Sequence, residues 1–333
     1  MRPVRRLAAV AAALSLGLAL TACGGSDESG GGGGDKVAGI FSGPVTDADL
    51  NALGLDALKA AEKDGAEISY AESVAVPDIE GKLRQYVSGG YSVVWTHGSQ
   101  FYDATAKVAA ENPDVNFIAE FDGVPEDQPE NLWVIDRNFH TVFYPLGVLA
   151  ANLSSSGKVG YLGGLSLPFS YAEVHALEQG IEDSGKDADL KPVWTGDFND
   201  TVKATQFTSQ LLSGGNDVIV TSLNLGVVGA FEAMKGTPAG KNWITVKYTD
   251  KSANDPEHYA ATVLYDFAKP LQAILDEIEG GTRTGVYVMG FGKGADVSIG
   301  DNVPAEAKKA AEQAVADVES GATEVELDQS EVK

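Results

Sequence analysis

The chain has 333 residues, 44% of them apolar, with 24 basic and 48 acidic side chains for a formal charge of −24. That length is enough for two domains of ordinary size, and the acidity argues against nucleic acid or anionic lipid as partners, because both require a positive footprint. The single cysteine excludes an intramolecular disulfide.

The chain begins with Arg2, Arg5 and Arg6, continues through the apolar stretch Leu7 to Leu20, and reaches Leu20-Thr21-Ala22-Cys23. The arginines hold the amino end on the cytoplasmic side, and the stretch is too short for a comfortable permanent span. The pattern reads as a lipoprotein signal over 1–22 ending in a lipobox, with Cys23 as the lipid attachment site. The alternative is an ordinary cleaved secretory signal beside an incidental cysteine. Acyl chains contribute about 0.8 kcal/mol per buried methylene, and two or more make anchoring stable. Residues 23–35, rich in glycine from Gly24 to Gly34, then form a tether; a dozen Gly/Ser residues hold a globular body roughly 20 Å from its anchor. The expected location is the extracytoplasmic face of the cell membrane.

From Lys36 onward, apolar runs alternate with amphipathic segments. Strands are predicted at Val37 to Phe41, Glu67 to Ser73, Ser92 to Thr96, Val115 to Glu120 and Asn131 to Asp136. Helices are predicted between them at Asp49 to Asp64, Asp78 to Ser88 and Phe101 to Glu111. The same grammar restarts with strands at Lys158 to Gly163, Leu190 to Thr195, Asp217 to Thr221 and Trp243 to Tyr248, and helices at Tyr171 to Ser184, Thr201 to Ser213 and Leu225 to Lys235. Strands separated by ten to fifteen helical residues imply right-handed crossovers and parallel sheets. The fold class is therefore α/β, with two doubly wound lobes. Ligands in such sheets sit outside the carboxyl ends of the strands, so the loops there are the candidate site.

Four segments fall in order: Phe41-Ser42-Gly43-Pro44-Val45-Thr46-Asp47, Ala71-Glu72-Ser73-Val74, Tyr91 to Asp103 around Thr96-His97-Gly98, and Gly157-Lys158-Val159-Gly160-Tyr161-Leu162-Gly163-Gly164. In this the chain resembles the basic membrane protein family, lipoprotein substrate-binding components of ABC importers similar to the purine-nucleoside receptors. The resemblance implies a type I periplasmic-binding-protein-like fold whose lobes are joined by three crossovers, a solute held in the cleft, and closure that presents a composite surface to a permease and its ATPase. The first lobe is placed at 36–136 with a returning segment near 251–284. The second is placed at 137–250 with about 285–300, Val286 to Ile299 crossing back, followed by a C-terminal helix and acidic tail over 301–333. A monomer is expected.

The site candidates follow the loops. Asp47, Asp49 and Asn51 can accept ligand hydroxyls or cap the helix beginning near Leu50. Nucleoside receptors resembling this chain place a stacking aromatic where Leu50 stands. In the next loop Gln100 and Phe101 can bond and stack on a planar ligand, or Ser99 caps a helix and Phe101 joins the core. His97 is assigned to the cleft as a ligand contact and not as a metal ligand or base, having no partner at metal-ligand spacing.

Asp136 matches an acidic position that contacts ligand in the family, or else pairs with Arg137. Phe169 follows Gly163-Gly164, where glycines permit close approach and the ring supplies a face; it is the leading stacking candidate. Asn224 and the amide of Gly226 can hold a ligand oxygen or cap a helix. Related receptors carry an acidic strand end that grips ribose where this chain has Lys247 or Thr249, with Asp250 displaced by about one residue, and Tyr265 replaces a family lysine. With the stacking position at Leu50 and the ribose position both altered, the purine-nucleoside reading is weakened, and Lys247 is left either holding a carboxylate or paired within the hinge.

No phosphate-cradling loop, paired zinc ligands or Gly-x-Ser-x-Gly elbow is present, so no enzyme activity and no cofactor are expected. A receptor feeding a sensor is a competing reading, and a hydrolase using Asp47, Asp136 or Asp250 is another.

Overall fold

The computed structural model describes residues 35–332; Cys23, the signal over 1–22 and the glycine tether lie outside the described residues. The first lobe is laid down as β1 (Lys36–Phe41), α1 (Leu50–Lys63), β2 (Glu67–Ala71), α2 (Ile79–Ser88), β3 (Val93–His97), α3 (Tyr102–Glu111), β4 (Asn116–Phe121) and β5 (Leu132–Asp136). The second follows as α4 (Phe139–Leu153), β6 (Lys158–Gly163), α5 (Pro168–Asp183), β7 (Asp189–Trp194), α6 (Thr201–Ser213), β8 (Val218–Ser222), α7 (Val227–Met234), β9 (Trp243–Tyr248) and β10 (Tyr259–Tyr265). The chain ends with α8 (Ala268–Glu279), β11 (Gly285–Val288), β12 (Ala295–Ile299) and α9 (Ala305–Glu319).

Each lobe is built on a six-stranded sheet, ordered β11-β5-β4-β3-β1-β2 in the first and β12-β10-β9-β8-β6-β7 in the second. All pairings are parallel except β10 with β12. Parallel strands are covered by helices on both faces and read as continuous apolar runs. Accordingly every residue of β3, β5, β8 and β9 is buried.

Two assignments differ from expectation. Of the returning segment near 251–284, expected in the first lobe, α8 does lie against α1 there, but the strand β10 pairs with β9 in the second, Val263 opposite Lys247. Parallel neighbours ordinarily need a crossover of a dozen or more residues, whereas only a 3-10 turn at Ser252–Asn254 separates β9 from β10. Within the stretch expected to cross back to the second lobe, β11 instead completes the first sheet and only β12 joins the second. The crossings therefore lie at 136–139, 265–268 and 288–295.

Helix α4 is absent from the predicted elements. Apart from Thr141 and Asn152 its residues are all buried, so no polar stripe marks a helical period, and Pro145 inside it argues against a helix. It lies against α5 and α9, and glycines set how close it comes. A Cβ on Gly147 would stand 2.3 Å from the Leu177 carbonyl oxygen, and one on Gly180 would stand 2.1 Å from that of Tyr144. Beyond α9 the tail runs across both lobes. The Ser330 carbonyl lies 3.1 Å from Nε2 of His175 on α5, and Gln329 Nε2 donates to the carbonyl of Asp122, beyond β4, at 3.3 Å.

Gly180→Ala should lower unfolding free energy by about 1–3 kcal/mol, since backbone cannot give way as a flexible side chain can. Gly81→Ala, on an exposed face of α2 with nothing within 4 Å, should raise it by about 0.5–1 kcal/mol. Urea melts of both variants check the pair, and an unchanged Gly180→Ala midpoint would mean that the two helices have room to spare.

Candidate functional site

Residues at the carboxyl ends of β3, β4, β5, β6, β8, β9 and β10 bring the site together around the ring of Phe139, the first residue of α4. Arg137 lies over this ring with Cζ 4.5 Å from its centroid, and Lys247 lies over it with Nζ at 4.2 Å. Both cations also approach Phe169, at 5.2 and 5.4 Å. Lys247 has further aromatic neighbours in Tyr248, Phe143 and Tyr265, within 5.7 Å.

Neither cation is left uncompensated. Arg137 donates from Nε and Nη2 to the two carboxylate oxygens of Asp122, at 2.9 and 2.5 Å, and from Nη2 to Ser99 Oγ at 2.9 Å. Such a two-point pair is geometrically specific as well as strong. Lys247 donates to Glu173 Oε1 at 2.5 Å and to Ser222 Oγ at 3.4 Å, while Glu173 Oε2 accepts from the Tyr161 hydroxyl at 2.8 Å. The Lys247 and Glu173 side chains are both fully buried. Burial drives the lysine below its ordinary pKa, with Glu173 pulling the other way. Burial likewise pushes the phenols of Tyr161, Tyr248 and Tyr265 well up. Of the two roles open to Lys247, the structure shows a paired charge.

Phe169 and Phe198 face one another with centroids 6.2 Å apart and planes 21° from parallel. The Gly164 approach predicted for a ligand is taken up by Phe198, whose ring a Cβ there would meet at 2.1 Å. The Phe198 carbonyl accepts from the amides of Asn224 and Gly226, both at 3.0 Å, so the Gly226 amide is spent inside the lobe and is not offered to a ligand. Asn224 Oδ1 and the Tyr265 hydroxyl are buried without a hydrogen-bond partner among the described residues, as are Trp95 Nε1, Thr208 Oγ1 and Thr245 Oγ1 elsewhere. Asp136 Oδ1 accepts from the amides of Gly123 and Asn138, at 2.9 and 3.0 Å, and burial raises its pKa.

Other expected residues serve the scaffold. Asp47 Oδ1 accepts from the amides of Asp49 and Ala52, and Oδ2 from the amide and Nδ2 of Asn51. Asn51 Oδ1 accepts from Gly43 N, so capping has consumed both side chains. His97 is fully buried; its Nε2 donates to the Leu50 carbonyl at 2.7 Å and its Nδ1 faces the Glu120 carboxylate. Edge contacts with Phe41, Trp95 and Phe267 enclose its ring, which removes it as a ligand contact. Phe101 has no exposure and belongs to the first-lobe core, and Gln100 points outward beside Gly98. Asp250 is exposed and lines a hollow of about 400 Å³ with Tyr259, Ser298, Asp301 and Asn302, away from the other candidates.

Four contributors escaped the sequence reading: Phe139, Glu173, Phe198 and the Asp122–Arg137 pair. Glu173 had a signal, a lone acid between Phe169 and Leu177 at helical spacing on an otherwise apolar face.

The lobes also touch directly. Lys251 pairs with Asp49, and Thr249 Oγ1 donates to the Ala48 carbonyl at 3.2 Å. Tyr248, between Lys247 and Thr249, has φ +78°, and the Thr249 amide closes a three-residue turn on the Lys247 carbonyl at 3.2 Å. This is a strained conformation for a bulky side chain.

Two α/β lobes closing on an aromatic cleft with unsatisfied buried polar atoms define a solute-binding protein, and the comparisons with known proteins agree. Residues 35–316 match the family described as ABC transporter substrate-binding protein, PnrA-like, and the chain belongs to that family. It is 27% identical over 242 residues to Basic membrane protein A2 of Borrelia garinii subsp. bavariensis, covering 71% of this chain and 70% of that one. It is 24% identical over 275 residues to the ABC transporter nucleoside-binding protein BmpA of Lactococcus lactis subsp. cremoris, covering 78% of each. Among solved structures, an ABC transporter solute-binding protein from Conexibacter woesei superposes with TM-score 0.69 at 26% identity, covering 88% of this chain and 98% of that one. One from Aeropyrum pernix shares the fold with TM-score 0.74 at 19% identity, covering 87% and 92%. The type I periplasmic-binding-protein-like fold of the sequence reading is thus the observed one. No described helix is long and apolar enough to cross a membrane.

Burial raises the Asp49 carboxyl from 3.8 to about 6 against the pull of Lys251, with neighbouring Asp47 adding to the rise. Ionising Asp49 therefore costs the folded protein. Its contribution is most favourable below about 3.8 and is lost as pH rises through about 6, an interval worth about 3 kcal/mol. The stability of wild type relative to Asp49→Asn should fall by that order between pH 3.5 and 7.5. Urea melts across the range check this, and a difference independent of pH would mean that Asp49 does not titrate there.

Proposed function

We propose that this protein is the membrane-tethered, extracytoplasmic solute-binding component of an ABC importer. It encloses one small polar solute bearing a planar ring between its lobes and delivers it unchanged to a permease. The observation that carries this reading is the cleft itself: Phe169 and Phe198 supply aromatic faces beside Asn224 Oδ1 and the Tyr265 hydroxyl, which have no partner of their own. Family membership supports the importer role, and the name of the Lactococcus lactis relative supports a nucleoside-like ligand. Asp136, at the first crossover, is proposed to hold a ligand donor, and Leu20-Thr21-Ala22-Cys23 to supply the lipid anchor.

Calorimetry with nucleosides, bases and sugars tests the reading. One solute should bind with a stoichiometry of one and be recovered chemically intact, and turnover by the purified protein would defeat the proposal. Phe169→Ala should weaken the best ligand about 10-fold, in line with about 0.5–1.5 kcal/mol for an aromatic contact beyond its area. Cys23→Ser should release the protein from the membrane fraction, and an unmodified Cys23 in native membranes would remove the anchor.

A further inference from the structure

Two cations lie against Phe139 and Phe169, and each is paired with its own carboxylate. Arg137 is held by Asp122 within and beside the first lobe, and Lys247 is held by Glu173 within the second. The second pair is the more demanding. Neither side chain has any exposure, and Glu173 has no oxygen to spare, because Oε1 takes Lys247 and Oε2 takes Tyr161. An ammonium buried among rings is tolerated only with its counter-charge in place. The same rings would face a bound solute, since Phe169 is half-buried and stacks on Phe198 at the mouth of the cage. Asn224 Oδ1 and the Tyr265 hydroxyl, two of the buried atoms without a partner among the described residues, are uncharged.

We propose that Glu173 sets the charge selectivity of the cleft: by neutralising Lys247 inside the aromatic cage it makes the site accept uncharged solutes and refuse carboxylates, and without it the cage becomes an anion site. The inference rests on the solute-binding reading and adds to it the charge class of the solute and the residue that imposes it. Glu173 acts through Lys247 and is a positioning residue, so its test needs a readout that a purely structural role would leave still.

Acetate and acetamide are near-equal in shape and differ in charge, which makes them the probes. Thermal melts of the full chain at constant ionic strength compare wild type, Glu173→Gln and the double variant Glu173→Gln/Lys247→Met. Wild type and the double variant should be indifferent to both probes. Glu173→Gln should gain a saturable rise in Tm of about 2–4 °C with acetate and none with acetamide. An acetate response in wild type as large as in Glu173→Gln, no response in Glu173→Gln, or one that survives the loss of Lys247 would overturn the proposal. If Glu173→Gln does not fold unaided, the yield of folded protein replaces Tm; rescue by acetate supports the proposal and any other result counts against it. Failure of the underlying reading would show separately, as a wild-type chain that binds no member of the uncharged solute panel.

Discussion

Taking the ammonium of Lys247 out of water is the demand around which the cleft is arranged. Breaking a buried ion pair by removing one partner costs about 3–5 kcal/mol, so everything that positions Glu173 bears on the strand that carries Lys247. Glu173 sits on α5, and α5 is seated against α4 through reciprocal glycine contacts at Gly147 and Gly180. Helix α4 begins with Phe139, whose ring touches both Lys247 and Arg137. One line of contacts therefore runs from the centre of the second sheet, through two helices, to the guanidinium of the first lobe.

Contacts between the lobes are of another kind. Asp49 with Lys251 and Thr249 with Ala48 lie at the rim, where Lys251 keeps 12% of its side-chain surface exposed. Of the four non-glycine residues with positive φ among the described residues, Ala48 and Tyr248 stand at or beside these contacts and Asn138 stands at the first crossing. Conformational cost of this kind is thus gathered largely where the lobes meet.

Much of this architecture was legible in the sequence because parallel strands buried on both faces announce themselves as apolar runs such as Val93-Val94-Trp95 and Val218-Ile219-Val220. Helix α4 was not legible for the same reason that it matters: a helix buried on every side carries no amphipathic signature. The site was harder still. Asp47 and Asn51 have the chemistry of ligand contacts, but backbone amides of the first helical turn claim Asp47, and Asn51 is held between Asp47 and the Gly43 amide. Whether Lys247 was paired could not be read from its neighbours, because its partner lies 74 residues away on another element. Spacing along the chain reports local geometry, and pairings of this kind are decided by the packing of whole elements.

The interleaving of the two sheets bears on how the chain matures as it is made. The first sheet lacks its outer strand until Gly285–Val288 has emerged, and α8, which lies against α1, comes only shortly before it. The second sheet waits for Ala295–Ile299. Neither lobe is a contiguous stretch, so the usual economy of folding one domain while the next is being synthesised is closed to this protein. Residues 36–136 leave the ribosome with one edge of their sheet bare, and that edge is covered only after nearly the whole of the other lobe has followed.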